Sequence, residues 1–488
     1  MEPSRRFLRR AAAASWLLAG VGCAVGPNFH PPSAPSGAGY EPGSSPTSLG
    51  DAKDAQKVDV AAKVREDWWR LFGSKKVDAL VGEALAQSPS IAEAEASLRR
   101  SQDDMRAGYG VFFPQADVAA GVSRQLVSLY KFGENAPGST FNLFTVSGTV
   151  SYTVDLWGGE RRQVEGLRAV VEAQRYALVG AQLTLASNVV DAVIAQAGYR
   201  SQVDATRDTV LLEQEQVRIA ETQERAGVAS YANVASTKSQ LAVTQALIPP
   251  LLEKIDQSAD LLAMLTGRTP AEWKDAGVQL DELTLPRELP LSLPSKLVQQ
   301  RPDILISQAQ LHSASAAIGV ATAAMLPNIT LSAGYGNNAT TLGGLFGPNT
   351  SLWNVGAGLA APIFHGGTLY YQRRAAVDAY DQALASYHDT VLSAFEQVAD
   401  VLRGLQHDGE AVAANDEAVK RSEEAVRLLQ ANYEAGVATY LQVLVADTQY
   451  LTARIALAGA VAQRLQDTVA LYMALGGGWW EKQATAQR

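Results

Sequence analysis

The stretch QERAGVASYANV, from Gln223 to Val234, returns 209 residues later as NYEAGVATYLQV, from Asn432 to Val443. The copies pair Gly227 with Gly436 and Tyr231 with Tyr440. Upstream, Val203, Val210 and Val217 lie seven apart, and the same offset gives Val412, Val419 and Val426. Seven-residue apolar spacing means 3.5 residues per turn, so both segments are expected to be underwound helices that coil left-handedly on their neighbours. A glycine between such helices suits a reversal, because it takes a left-handed backbone without a side-chain penalty. The correspondence continues outward. SPSIAEAEASL at Ser88 matches RPDILISQAQL at Arg301, Pro114 matches Pro327, LWGGERRQ at Leu156 matches FHGGTLYYQRR at Phe364, and LLAMLTG at Leu261 matches LYMALGG at Leu471. Glycines, prolines and heptad valines fall in the same order twice, which reads as an internal two-fold repeat.

Each half carries one helix, two strand-like segments, a long helix, a turn and a second helix. The expected helices are 89–111, 159–225 and 232–265 in the first half, and 302–325, 367–435 and 441–475 in the second. At 1.5 Å per residue, helices like 159–225 span roughly 100 Å, more than a globular core requires, and imply a tube, a stalk or a coiled coil. Between the helices, FTVSGTVSYTVD sets Phe144, Val146, Val150, Tyr152 and Val154 against Thr145, Ser147, Thr149, Ser151, Thr153 and Asp155. This period of two makes one apolar and one polar face. ADVAAGVS at Ala116, ITLSAGYG at Ile329 and LWNVGAGLAA at Leu352 alternate more weakly. Such strands fit either a soluble sheet over a core or an outer-membrane barrel. Four strands cannot close a barrel, and an open edge has no backbone partners in lipid. If these strands span a membrane, several chains must complete one barrel.

The 488 residues are 47% hydrophobic and 19% charged, with a net charge of -9. No run of eighteen apolar residues follows the N-terminus, so a helical membrane span is not expected. The acidic balance and absent basic cluster argue against nucleic acid as a partner. At the N-terminus, Arg5, Arg6, Arg9 and Arg10 precede AAAASWLLAG, and Cys23 is the only cysteine. This reads as a secretory signal over 1–22, and a lone cysteine has no internal disulfide partner. Residues 23–60, rich in Pro, Gly and Ser, read as an extended tether or surface wrap. The first structural repeat is assigned to 61–270, with strands at about 115–155. A connector covers 271–294, the second repeat covers 295–476 with strands at about 328–362, and a tail covers 477–488.

The five histidines, His30, His312, His365, His388 and His407, have no zinc-motif spacing. GAG at Gly356 lacks the strand-to-helix context of a nucleotide loop. No enzyme activity, cofactor or metal is expected.

CAVGPNF at Cys23, WWRLF at Trp68, LPSKLVQQRPDI at Leu293, FHGG at Phe364, the two AGVA turns and ALGGGW at Ala474 together resemble an outer membrane factor of the TolC type, in the lipoprotein branch that serves tripartite (RND-type) efflux systems. The resemblance implies a mixed α and β membrane protein: a trimer shares one transmembrane β-barrel of twelve strands and a long coiled-coil α-helical periplasmic barrel. It implies a passive conduit for drugs or metal ions, with a periplasmic adaptor (membrane fusion protein) and an inner-membrane pump as partners. Cys23 resembles a lipobox cysteine, with Gly20 where Leu is most common, and implies a lipid anchor in the outer membrane. The turns are implied to dock the adaptor through Gly227, Val228, Ala229, Ser230, Gly436, Val437, Ala438 and Thr439. Many relatives carry gating acids near the positions of Gln442 and Val445, which are not ionisable here, leaving Asp447 as the nearest carboxylate and Tyr231 and Tyr440 as hydrogen-bonding gate candidates. A type I protein secretion channel and a poreless coiled-coil envelope lipoprotein stand as alternatives.

Overall fold

The structure is a computed structural model that describes residues 24–33, 39–40, 48–50, 55–60, 62–127 and 138–480. The signal segment, Cys23 and residues 481–488 lie outside the described residues. The chain divides into two compact units.

The first unit comprises Met1–Pro32, Arg99–Ala173 and Ser307–Tyr387. Its centre is an antiparallel sheet of β3 (Gln115–Val127), β4 (Ser139–Val154), β6 (Asn328–Ala339) and β7 (Ser351–Ala360), in that spatial order. The β4–β6 pairing joins the two halves of the repeat. Directly opposed residues share a face, and the register keeps like with like. Val122 opposes Phe144, Tyr152 opposes Leu331, Val154 opposes Ile329, Leu331 opposes Ala357 and Tyr335 opposes Trp353. On the other face Ser147 opposes Ala119, Ser151 opposes Ser332, Thr153 opposes Thr330 and Gly334 opposes Asn354. Arg124 opposite Asn142 interrupts the apolar face near one end. That face is uncovered: Val118 is 82%, Val355 77% and Trp353 74% exposed. The strands β3 and β7 are the two edges of the sheet. An apolar face without a core, bounded by two edges, is not a soluble sheet.

Residues 24–32 are seated against helices of this unit. Val25 N donates to Trp157 O at 2.8 Å, and the buried Arg162 donates from Nε to Val25 O and from Nη2 to Asn28 Oδ1 at 2.7 Å. Phe29 stacks on His312 with ring centroids 4.4 Å apart, and His312 Nε2 lies 2.9 Å from Glu165 Oε1.

The second unit comprises Ser33–Leu98, Gln174–Ile306 and His388–Arg488. Counted along the whole chain rather than within this unit, helices α1 (Lys75–Gln87) and α2 (Pro89–Gly108) precede the large sheet, and α3 (Gly159–Arg225) follows it. Next come α4 (Tyr231–Gln245), α5 (Ile248–Leu265), α6 (Pro294–Leu297) and α7 (Pro302–Ala323), then α8 (Thr368–Glu434) and α9 (Tyr440–Ala474). The core of this unit gathers Trp68, Phe72, Val77, Val81, Leu185, Val189, Val193, Leu402, Leu465 and Tyr472, with the Trp68 and Tyr472 rings stacked at 5.4 Å. Among the described residues, α3 alone is long and apolar enough to cross a membrane by length and composition. Its run from Leu185 to Ala197 instead supplies this core. Buried Arg301 closes the C-terminal end of α9, donating to Ala474 O at 3.0 Å and Gln397 Oε1 at 2.8 Å while pairing with Asp303.

The structure departs from the sequence-based expectation in three places. The segment 232–265 is two helices, broken at Ala246 and Leu247. Pro249 and Pro250 lack an N–H, and their rings clash with the carbonyls one turn back, so they fit only the first turn of a new helix. Their counterparts in the repeat, Ala458 and Gly459, leave α9 unbroken over 35 residues. The first helix stops at Gly108, and a 3₁₀ turn, Tyr109–Phe112, completes the approach to Pro114. A small sheet was also unforeseen, in which β1 (Ser48–Leu49) pairs antiparallel and β5 (Glu288–Pro290) parallel with β2 (Gln56–Asp59).

Candidate functional site: the paired helix turns

The helix α3 passes into α4, and α8 into α9, through five residues each, 226–230 and 435–439. Both turns close in the same way. Val228 N donates to Gln223 O at 3.0 Å and Gly227 N to Glu224 O at 2.9 Å, while Val437 N donates to Asn432 O at 2.8 Å and Gly436 N to Tyr433 O at 3.0 Å. These are 6→1 and 5→2 pairs, the Schellman arrangement, which places a left-handed residue just past the helix. Gly227 has φ 74° and Gly436 φ 75°. A Cβ added at either would meet nothing within 4 Å, so the backbone alone calls for glycine here.

The two turns share one surface. A groove of about 590 Å³ is lined by Val228 and Ala229 from one turn and by Gly436, Ala438 and Thr439 from the other, with Tyr433 and Tyr440 at its side. Val228 and Val437 are 78% and 79% exposed, Ser230 and Thr439 are exposed, and Ala229 and Ala438 are half-buried. None of the eight expected contact positions is charged, and six of them are Gly, Ala or Val. The Tyr433 hydroxyl ties the turns together by donating to Gln223 Oε1 at 2.9 Å.

The repeat-related gate candidates are not equivalent. Tyr231 is exposed, whereas Tyr440 is buried with its ring 6.1 Å from that of Tyr433. Tyr231 lacks such a neighbour because the position matching Tyr433 is Glu224. The Gln442 side chain faces back onto its own helix start, where Oε1 accepts from Thr439 N at 2.8 Å and from Thr439 Oγ1 at 3.1 Å. Asp447 is buried and accepts from Gln216 Nε2 on α3.

Beside Asp447 lies a carboxylate that sequence reasoning missed. Glu213 is buried, and its Oε1 accepts from Thr244 Oγ1 at 2.9 Å and Gln240 Nε2 at 3.2 Å, both on α4. Burial raises its proton affinity first; the two hydrogen bonds oppose this and the negative charge of Asp447 adds to it. Burial likewise raises Asp447, against the Gln216 amide. The Tyr440 hydroxyl is driven up by burial and then by Glu213 and Asp447. The signal for Glu213 was present: three residues after Val210, it occupies the other seam position of the heptad, where an apolar residue is expected. Among the described residues no group of three or more His, Cys, Asp or Glu side chains is arranged to hold a metal.

The sequence model of a family described as "Outer membrane efflux protein" matches residues 80–268 and 293–477, one match in each half of the repeat. The pyoverdine export outer membrane protein OpmQ of Pseudomonas aeruginosa is 30% identical over 86% of this chain and 88% of its own. The probable efflux pump outer membrane protein TtgC of Pseudomonas putida is 27% identical over 99% of this chain and 98% of its own. The solved structure of the outer-membrane channel OprN superposes with a TM-score of 0.84 at 25% identity, covering 94% of this chain and all of that one.

Proposed function

Because the chain belongs to the outer membrane efflux protein family, we infer from its own residues how it works as the outer membrane channel of a tripartite efflux system. Its relatives are channel proteins rather than enzymes. The observation that carries the reading is the four-stranded sheet with one apolar face in register and two edge strands. Lipid covers the apolar face, and neighbouring copies pair with β3 and β7, because an open edge cannot be left in hydrocarbon. The β3 and β7 strands of one chain run in opposite directions, so β7 of one copy pairs antiparallel with β3 of the next. We assign a homotrimer, in line with the barrel that the family resemblance implies.

The paired turns are the docking surface for the periplasmic adaptor, through Gly227, Val228, Ala229, Ser230, Gly436, Val437, Ala438 and Thr439. Uncharged, small-residue tips let another helical protein approach the backbone closely. An inner-membrane pump supplies the energy, since this chain has no nucleotide loop. The cargo is a small molecule, as the names of the pyoverdine and efflux-pump relatives suggest. Cys23, freed by removal of 1–22, carries the lipid anchor.

The test is the mass of the purified protein in detergent together with planar-bilayer recordings. Three chains with a small conductance are expected, and a stable monomer without conductance refutes the channel. Fatty-acid labelling of wild type against Cys23→Ser tests the anchor, and equal label in both refutes it.

A further inference from the structure

Two buried carboxylates stand together without a cation. Glu213 on α3 and Asp447 on α9 are 2% and 1% exposed, and Gln216 between them is 6% exposed. Three of their oxygens have no hydrogen-bond partner: Glu213 Oε2, Asp447 Oδ1 and Gln216 Oε1. All three are acceptors, so the cluster is short of hydrogen donors. Among the described residues, the neighbouring elements supply no positive charge to either carboxylate. From α4 come Gln240 and Thr244, from α8 Tyr433, and from α9 Tyr440. The cations nearest in sequence are engaged elsewhere, Lys238 with Glu221, Arg218 with Glu215 and Arg454 with Asp208.

We propose that Glu213 and Asp447 form a proton-binding latch that holds the start of α9 against α3 and α4, and that releases it as the periplasm becomes alkaline. A buried charge without a partner is expensive, and the usual escape is to take up a proton. A proton on either carboxyl turns an orphan acceptor into a donor, and Gln216 Oε1 is an acceptor waiting for one. Gln216 Nε2 already donates to the other oxygen of Asp447, so a protonated Asp447 can be bonded at both ends. Losing the protons leaves two negative charges in a space that offers them only neutral donors.

The sign follows from the direction of both shifts. Each carboxyl holds its proton more tightly when folded than its ordinary value. The latch is whole below the ordinary carboxylate range and is lost as pH rises through the raised values. Each unit by which either pKa is raised corresponds to about a tenfold change in the closed-to-open ratio. The functional consequence, a conduit whose turn end loosens with rising pH, rests on the channel reading; the latch itself does not.

The experiment is hydrogen exchange on the full-length protein in detergent from pH 5 to 9, corrected for the chemical exchange rate and read on peptides covering 213–220 and 440–450. Wild type is expected to lose about tenfold or more of its protection at these peptides as pH rises. Asp447→Asn, which can still accept from Gln216, is expected to keep only the smaller pH dependence that belongs to Glu213, and Glu213→Gln with Asp447→Asn is expected to stay protected and flat. Wild-type pH dependence persisting in Asp447→Asn, or a flat wild-type profile, overturns the latch. A wild-type profile that shifts with calcium or EDTA also overturns it, because a metal rather than a proton would then fill the site. Bilayer conductance of the same samples reports separately on the channel.

Discussion

Replacing Gly436 by alanine isolates what its turn demands. The residue sits at φ 75°, and an added Cβ has nothing within 4 Å. No clash with other parts of the chain is therefore added, and the cost is that of an L-residue's Cβ against its own backbone in the left-handed region, about 1–2 kcal/mol. The alanine also restricts the unfolded chain, which returns roughly 0.4–1 kcal/mol. The net expectation is about 1 kcal/mol of destabilisation, and about 2 kcal/mol with Gly227→Ala added, since the two backbone costs are separate. Gly478→Ala is the control. It has φ 76°, but its Cβ would run into the carbonyl of Val64 and the backbone of Arg65, adding an overpacking cost of roughly 1–3 kcal/mol. Denaturant unfolding of the detergent-solubilised protein should rank Gly478→Ala well above Gly436→Ala. Equal losses would show that the turn is not open, and a gain of stability in Gly436→Ala would show that its φ is not positive. Gly436→Glu carries the same backbone cost and places a charge among eight uncharged contact positions. It should leave the assembled protein intact while efflux in a deletion strain and crosslinking to the adaptor both fall; normal efflux and crosslinks would refute the docking assignment.

Val355→Arg, on the apolar face of β7, should cost roughly 2–4 kcal/mol of stability in bilayers, whereas Asn354→Arg on the opposite face should cost under about 1 kcal/mol and alter conductance; equal costs would refute the facial assignment. Arg301→Ala removes the donor that closes the end of α9 and should destabilise by roughly 2–4 kcal/mol, with a loss below about 1 kcal/mol contradicting its role. Burial, followed by the charge of Asp467, pushes Asp191 up to about 7, and burial with a hydrogen bond to Asp467 does the same for Asp408. Their contribution to stability is therefore present at acidic pH and lost as pH rises through about 7. Melting temperatures from pH 5 to 9 should flatten in Asp408→Asn, and an unchanged slope would contradict the shift.

The fold was largely legible because it is written twice. The AGVA turns, the heptad valines and the strand alternation each have a period that survives in a single sequence, and α3, α8 and α9 lie within a residue or so of where those periods put them. The break between α4 and α5 was legible too, in Pro249 and Pro250, but the repeat argued for continuity and the prolines act only on their own copy. The small sheet left no signal, since strands of two to four residues are too short for alternation to register. The turns could be located because glycine there answers to backbone geometry alone. The inequivalence of Tyr231 and Tyr440 could not, because it depends on what the other helix end places beside each ring, Glu224 in one case and Tyr433 in the other. Asp447 was visible only as a carboxylate displaced from the expected positions; its burial against Glu213 and Gln216 joins residues more than 230 apart.

Whether copies of this chain close one barrel edge to edge is decided by cysteine crosslinking in outer membranes. In a Cys23→Ser background, one cysteine on β3 and one on β7 are introduced as a small set of pairs that samples the unknown register, and then oxidised. At the correct register a ladder of one, two and three linked chains that ends at the trimer is expected. Disulfides formed only within single chains, or none at any register, would contradict it.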